Sequence, residues 1–486
     1  MGLRVVVMVA VCLAALASRG ETTQFQGAPL HQFTLENGLR VWHLPRHESP
    51  SVAIFLVVRA GGRYENEQNN GVSHFLEHFL FTETERWKEG EVFQVMNRLG
   101  GVNNATTESE RTTWYNIAAP EYFEPAMDWI AEVVLHSKMA PEHIEKERRI
   151  IFRENGGPNS WFVDWCNAIG YGGPTQEEVY GRLFPGSTLN LPIIGSNASL
   201  EAMDHVTLTS YYQAHYVPNN ALLLVVGNIE TPVVEEAAKR YFGSWAKGAE
   251  VPWPASPKLP EGGPIRITQR GMDIQDEGAV WMGARTEGVA NADRWTFEVL
   301  GHVLQERLFQ KLRIQEGLVY SVGAQQQLFS DVGDFRIAAR AKREHLPRVE
   351  TLIAAEIDGI KAGNIGEAEV SEAQKTIIGR HALAMESNYA HAFALIQYTH
   401  LPGDGTAPIP DFDTAISGVT AADLKRVAET YFTPERSYVI VYDPICTANE
   451  LAIFAVASTA LAIAAYVWRY RRNKQRRAAA GEQGWP

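Results

Sequence analysis

Two kinds of apolar pattern alternate along the chain. Short apolar runs bounded by Gly, Asn, Pro or Ser read as strands, and longer stretches with apolar residues three and four apart read as helices. Leu39–Leu44 and Val52–Arg59 are of the first kind, the latter rich in β-branched residues, and Thr112–Ala118 is a third. Leu222–Gly227 is apolar throughout and lies between Asn219-Asn220 and Gly227-Asn228, the pattern of a buried central strand. Helical spacing marks Gly71–Phe81, Gly90–Leu99, Pro120–His136, Pro141–Glu154 and Val233–Phe242, with Pro at the first turn of the third and fourth.

From Ala246 to Pro264 the pattern stops, and prolines stand at 252, 254, 257, 260 and 264, which marks a linker. Beyond it the first pattern returns more weakly. Ile265–Gln269 and Ala279–Ala284 read as strands, and Asp293–Leu312, Val349–Ala362 and Gly366–Glu386 as helices. Tyr431-Phe432-Thr433-Pro434 before Val439-Ile440-Val441 echoes Tyr216-Val217-Pro218-Asn219 before Leu222–Val226, which suggests a duplication. The fold class expected is α+β, with two domains of one fold at 28–245 and 265–445 joined by 246–264.

The ends differ in kind. Arg4 precedes an apolar run, Val5–Ala17, too short to span a bilayer and ending in the A-x-A-like Ala15-Leu16-Ala17, so residues 1–17 read as a secretory signal peptide. Leu451–Trp468 is apolar and uncharged and is followed by Arg469, Arg471, Arg472, Lys474, Arg476 and Arg477. That is the pattern of a transmembrane helix whose basic flank, 469–486, stays cytoplasmic. Both ends therefore point to an extracytoplasmic body, periplasmic in a bacterium, tethered by its C-terminus.

Of 486 residues 45% are apolar, enough for sizeable cores, and the net charge is −13. Once the basic tail and the two N-terminal arginines are set aside, the body stands near −20. So acidic a body disfavours nucleic acid as a partner. Three cysteines, of which Cys12 lies in the signal segment, exclude a disulfide scaffold and a thiolate metal site; whether Cys166 and Cys446 pair stays open.

Candidate chemistry gathers at His74-Phe75-Leu76-Glu77-His78. On a helix His74 and His78 are i and i+4, so both imidazoles project from one face and can hold one metal ion. Glu77 flanks that face and can take a proton from the attacking water. This is the inverted zincin spelling H-x-x-E-H. A hydrolytic zinc site needs a third protein ligand. Glu147 and Glu154 are seven apart, two helical turns, and hence share a face.

With these residues the chain resembles the pitrilysin and insulin-degrading enzyme family, and within it the short processing-peptidase-β-like branch. The family motif H-x-x-E-H is followed about 75 residues later by a Glu ligand, with an assisting Glu seven positions earlier. His74, Glu77, His78, Glu147 and Glu154 match it. The resemblance implies one zinc ion held by His74, His78 and Glu154, with Glu77 and Glu147 as catalytic groups, the latter steering a His or the water. Gly100–Thr107 resembles the family's G-G-x-x-N-A-x-T segment, implying an edge strand on which Asn104, Ala105 and Thr106 bind a peptide substrate. Leu312-Arg313 and Val319-Tyr320 match an Arg-x6-Tyr pair of the family's second homologous domain, implying that Arg313 and Tyr320 donate hydrogen bonds to the substrate.

At the corresponding place the second half reads Gly301-His302-Val303-Leu304-Gln305-Glu306-Arg307, without the paired motif, so one metal per chain is expected. Where processing peptidases continue after the Glu ligand with acidic residues, this chain has Asn155-Gly156-Gly157-Pro158, so Arg-directed processing is not implied. The resulting expectation is a membrane-anchored zinc endopeptidase acting on peptides or unfolded segments, as a homodimer or with a related subunit. A non-catalytic scaffold or partner subunit is the alternative.

Overall fold

The structure is a computed structural model and describes residues 21–156, 165, 176–270, 276–398, 409–444 and 448–481. The expected signal segment, Cys166 and Cys446 lie outside the described residues.

Two sheets carry the molecule. β1 (Glu21–Phe25), β2 (Ala28–Thr34), β3 (Arg40–Pro45), β4 (Val52–Val58), β5 (Val102–Thr107), β6 (Thr112–Ala118) and β7 (Ala221–Gly227) form one, in the order β1-β2-β3-β7-β4-β6-β5. β8 (Ile265–Gln269), β9 (Glu277–Glu287), β10 (Val319–Leu328), β11 (Val332–Lys342) and β12 (Ser437–Tyr442) form the other, in the order β10-β11-β9-β12-β8. Without the β1–β2 hairpin the two have the same topology. In each half the first and last strands pair in parallel, β3 with β7 and β8 with β12, and the remaining neighbours are antiparallel. The echo between Tyr216–Val226 and Tyr431–Val441 is thus matched by a repeat of strand order.

The helices of the first half are α1 (Val72–Leu80), α2 (Glu91–Arg98), α3 (Phe123–Leu135), α4 (Ile144–Glu154), α5 (Gln176–Leu183), α6 (Asn197–Ala202), α7 (His205–His215) and α8 (Thr231–Phe242). Those of the second are α9 (Asp293–Leu308), α10 (Leu346–Lys361), α11 (Glu367–Ala384), α12 (Asn388–Ile396), α13 (Phe412–Ser417) and α14 (Ala421–Tyr431), followed by α15 (Ala448–Gly481). Some details depart from the sequence expectation. Pro120 and Pro141 sit in short 3-10 turns that lead into α3 and α4, where a missing N–H leaves no intrahelical bond unmade. The helix expected over Asp293–Leu312 ends at Leu308 and continues as a π-helical turn, Phe309–Gln315. Glu21–Phe25, ahead of the expected first domain, pairs into its sheet.

β7 is apolar throughout because both of its faces are buried. Leu223 and Val225 point into the core under α1, α3 and α8, whereas Leu222, Leu224 and Val226 point to the opposite face. That opposite face is covered from the other half of the chain, by Ala392, Leu395 and Ile396 of α12. The exchange is reciprocal. Val179, Tyr180 and Leu183 of α5 pack with Phe184 against Ile267, Tyr438 and Ile440 of the second sheet. The linker between the halves is clamped in place: Arg285 donates to the carbonyl oxygens of Lys258 and Pro257, and Arg59 lies 4.3 Å over the Trp253 ring.

α15 runs on through Arg469, Arg471, Arg472 and Lys474, residues that favour helix, so the basic flank continues the helix as far as Gly481. Its side chains over Ala452–Gln475 are exposed, and it is long and apolar enough to cross a membrane.

Because α12 closes the first sheet, Leu395→Ala is expected to destabilise the chain by about 2–5 kcal/mol. Chemical denaturation followed by tryptophan fluorescence checks this. The loss is expected within one cooperative transition, and an unchanged midpoint would remove α12 from the core of the first half.

Candidate metal centre

α1 buries Val72, Phe75, Leu76, Phe79 and Leu80, which leaves His74, Glu77 and His78 on the opposite, open face. Its first turn is held from outside the helix. Glu65 accepts hydrogen bonds from the backbone N–H groups of Gly71 (2.7 Å) and Ser73 (2.9 Å) and from the Asn70 amide (3.1 Å). This satisfies donors that a helix start leaves unpaired and sets a carboxyl at the positive end of the helix dipole. Burial nevertheless pushes the Glu65 carboxyl above the usual range, against the pull of those donors. Gly71 has φ +88°, and a Cβ there would stand 2.6 Å from the Gly195 backbone, so only glycine fits.

α4 buries Ile144, Glu147 and Ile151 and ends at Glu154, where Asn155 and Gly156 (φ +97°) turn the chain out. The helix therefore stops where the glycines after Glu154 are expected to stop it. α1 and α4 pack side by side, and the three groups His74, His78 and Glu154 present ligand atoms within 4.8 Å of one another. His78 Nε2 and His74 Nε2 lie 3.5 and 3.8 Å from Glu154 Oε2. Ligands at zinc-like bond lengths around a tetrahedral ion stand roughly 3.3 Å apart, so these donors fit one such ion after a small contraction.

Glu147 is 7% exposed, and its carboxylate lies 3.4 Å from His78 Nδ1. It is a buried partner of the imidazole and leaves His78 Nε2 free for the ion. Burial, with His78 beside it, holds His74 down at about 4, so that imidazole is neutral and able to ligate. Burial acts in the same sense on His78, but the Glu147 hydrogen bond and the charges of Glu154, Glu77 and Glu147 outweigh it and raise its pKa. Burial also pushes the Glu77 carboxyl up, while the Thr107 hydroxyl, donating at 2.6 Å, and His78 pull it back.

β5 is the outermost strand of its sheet, and Asn104 and Ala105 line a cavity of about 590 Å³ together with His74, Glu77, His78 and Glu154. Thr106 alternates to an intermediate exposure on the same strand. Arg313 and Tyr320 are elsewhere and do not border this cavity. Arg313 donates to the Val319 carbonyl oxygen at 2.8 Å, and Tyr320, 46% exposed, occupies the bulge where the β10–β11 register shifts. Three contributors were not singled out from the sequence. Glu65 lies ahead of the helix it caps, Thr107 ends the quoted edge-strand segment, and Phe81 stacks on the exposed Phe93 at 4.7 Å to wall the cavity. Only Thr107 carried a usable signal, its place at the end of the strand motif.

Residues 40–158 match the family described as Insulinase (Peptidase family M16), and residues 203–377 match the Peptidase M16 inactive domain. An uncharacterized zinc protease of Mycobacterium tuberculosis is 30% identical over 369 residues, 73% of this chain and 80% of its own length. A probable mitochondrial-processing peptidase subunit beta of Arabidopsis thaliana is 25% identical over 433 residues, 85% and 78% of the two lengths. Among solved structures, a protease from Helicobacter pylori superposes with a TM-score of 0.75 at 20% identity, over 86% of this chain and all of that one. The periplasmic protease PqqL from Escherichia coli superposes with a TM-score of 0.70 at 16% identity, over 87% of this chain and 48% of that one. With its paired sheets, its H-x-x-E-H helix and these relatives, the chain belongs to peptidase family M16, the group that includes the insulinases and pitrilysin.

Proposed function

We propose that this chain is a membrane-anchored, zinc-dependent endopeptidase that cleaves peptides or unfolded segments. The observation that carries the reading is a His74–His78–Glu154 donor set of metal dimensions, with Glu77 beside it and an unpaired strand edge along the same cavity. His74, His78 and Glu154 would hold a zinc ion, which would supply Lewis-acid activation of the attacking water and of the scissile carbonyl. Glu77, a carboxyl made more basic by burial, takes the proton of the attacking water and hands it to the departing amine. Glu147 orients His78 through Nδ1. Asn104, Ala105 and Thr106 accept the substrate as an added strand, whose main-chain hydrogen bonds give affinity with little sequence choice. Such binding selects extended chains, which folded proteins rarely offer.

Arg313 and Tyr320 act on the zinc site of another subunit in this reading. That neither lines the cavity of its own chain supports it, as does the fit of this chain onto about half of the longer PqqL. The active unit is then a homodimer, or a heterodimer with a related subunit. The exposed apolar α15 anchors it, with residues 1–17 removed on export and the basic end 469–486 in the cytoplasm. The second reading, a non-catalytic partner subunit, draws on the inactive-domain match of residues 203–377. It predicts no peptide turnover from a zinc-loaded chain.

Metal content measured against turnover separates the roles. Glu77→Gln is expected to keep zinc and lose at least about a hundredfold in kcat. Glu154→Gln is expected to empty the site, and Glu147→Gln to lower turnover with milder zinc loss. Zinc lost from the Glu147 variant and kept by the Glu154 variant would reverse the ligand assignment; a fully active Glu77→Gln would remove the proposed base.

Orientation is checked by adding protease outside spheroplasts that carry the full-length chain with a tag after Pro486. The body is expected to be digested and the tag spared, and a tag cut from outside would invert the topology.

The shared site is checked by mixing Glu77→Gln protein with Arg313→Ala/Tyr320→Phe protein. In the mixed dimer one site carries both defects and the other neither, so part of the wild-type activity is expected to return. No return despite demonstrated subunit exchange would sink the shared site.

A further inference from the structure

The candidate site is assembled from α1, α4 and the edge strand β5 of the first half, and α1 and β5 both lead to one buried point of contact with the second half. Arg63 lies two residues ahead of Glu65, the acid that caps α1. Its side chain is 1% exposed. A guanidinium so buried requires charged partners. It finds one on each half. Glu110 sits in the turn that follows β5, and Asp331 in the turn between β10 and β11 accepts from both Nη1 (2.7 Å) and Nη2 (2.8 Å).

Glu110 is in turn held from the second half, since Ser330 donates to it through its backbone N–H (2.9 Å) and its hydroxyl (2.7 Å). The β5–β6 and β10–β11 turns, equivalent in the duplicated topology, therefore interlock around one arginine. Within the first half, the β5–β6 turn lies close against the segment ahead of Arg63. A Cβ on Gly61, two residues before Arg63, would meet the Glu108 and Ser109 carbonyl oxygens at 2.2 and 2.8 Å. From this cluster one path runs through Arg63 to Glu65 and the start of α1. Another runs through Glu110 and back along β5 to Thr107, whose hydroxyl touches Glu77.

We propose that Asp331 and Ser330 of the metal-free half are positioning residues for the reaction: by holding Arg63 and Glu110 they fix the register of the substrate strand β5 against the Glu77 helix. The inference rests on the peptidase reading above. The second half is then a working part of the catalytic unit in its own chain, in addition to any role of Arg313 and Tyr320 across a dimer. Neither Asp331 nor Ser330 touches substrate or metal ligand. Their effect passes through a strand and a helix that must meet at the Thr107–Glu77 contact, and a misplacement there of about 1 Å is enough to cost up to roughly a hundredfold in rate.

The test uses the full-length protein with Asp331→Asn, Ser330→Ala and Thr107→Val, singly and in pairs. Zinc content, melting temperature, kcat and KM on an extended peptide, and amide hydrogen exchange are measured well below the melting temperature. Asp331→Asn and Ser330→Ala are expected to keep zinc and fold, to lose about tenfold in kcat with little change in KM, and to exchange faster at residues 103–107. Combined with Thr107→Val, each is expected to add little to the single variant, because both act on one contact. Unchanged kcat and exchange, or effects that multiply in the double variants, would overturn the proposal. Should Asp331→Asn fail to fold, Ser330→Ala, which deletes one hydroxyl, carries the test alone. An inactive wild type would count against the peptidase reading, whereas exchange at β5 reports the coupling without any turnover.

Discussion

A sheet whose central strands are apolar on both faces cannot stand in water with one face bare, and this constraint organises the molecule. β4 and β7 send alternate residues into two different cores, so each needs two covers. The inner cover of each sheet comes from its own half. The outer cover of the first sheet is α12 and that of the second sheet includes α5, so each half closes the other. Neither half has a complete core by itself. The two therefore act as one folding unit, although their strand orders repeat.

The buried charges follow from that interlock. Exchanging covers brings the β5–β6 and β10–β11 turns together, and Arg63 is enclosed where they meet. Burying a guanidinium is unfavourable unless its partners are well placed, and removing one partner from such a pair costs about 3–5 kcal/mol. Glu110, Asp331 and Ser330 supply those partners from both sides of the interface. The cluster adds specificity of alignment to the bulk adhesion of the exchanged helices, since a bidentate pair tolerates little displacement.

The candidate metal centre shows the opposite electrostatic balance. Glu77, Glu147 and Glu154 converge on two imidazoles, so acids outnumber the neutral groups between them. A site of that kind is short of positive charge, which a divalent cation at the donor set would supply. The fold contributes rigidity: Glu65 caps α1, the Gly71–Gly195 contact fixes its entry, and α4 stops at Glu154. What remains open, among the described residues, is the outer edge of β5, whose inner edge pairs with β6.

The chain by itself determined the local features. Residues three and four apart on one helix face are set by helix geometry, so His74, Glu77 and His78 were legible as a group, and so were Glu147 and Glu154. Runs such as Leu222–Gly227 announce a buried strand because apolarity on every residue requires burial on both faces, and the weak echo near Tyr431 announced the repeat. Nothing in the sequence told which element covers which sheet. That depends on contacts between elements far apart in the chain, such as α12 with β7, and hydrophobic packing carries no address. The cap by Glu65, the Thr107–Glu77 contact and the enclosure of Arg63 were hidden for the same reason. Each is a polar group whose partner is chosen only when the exchanged halves close, and only the tertiary structure decides that.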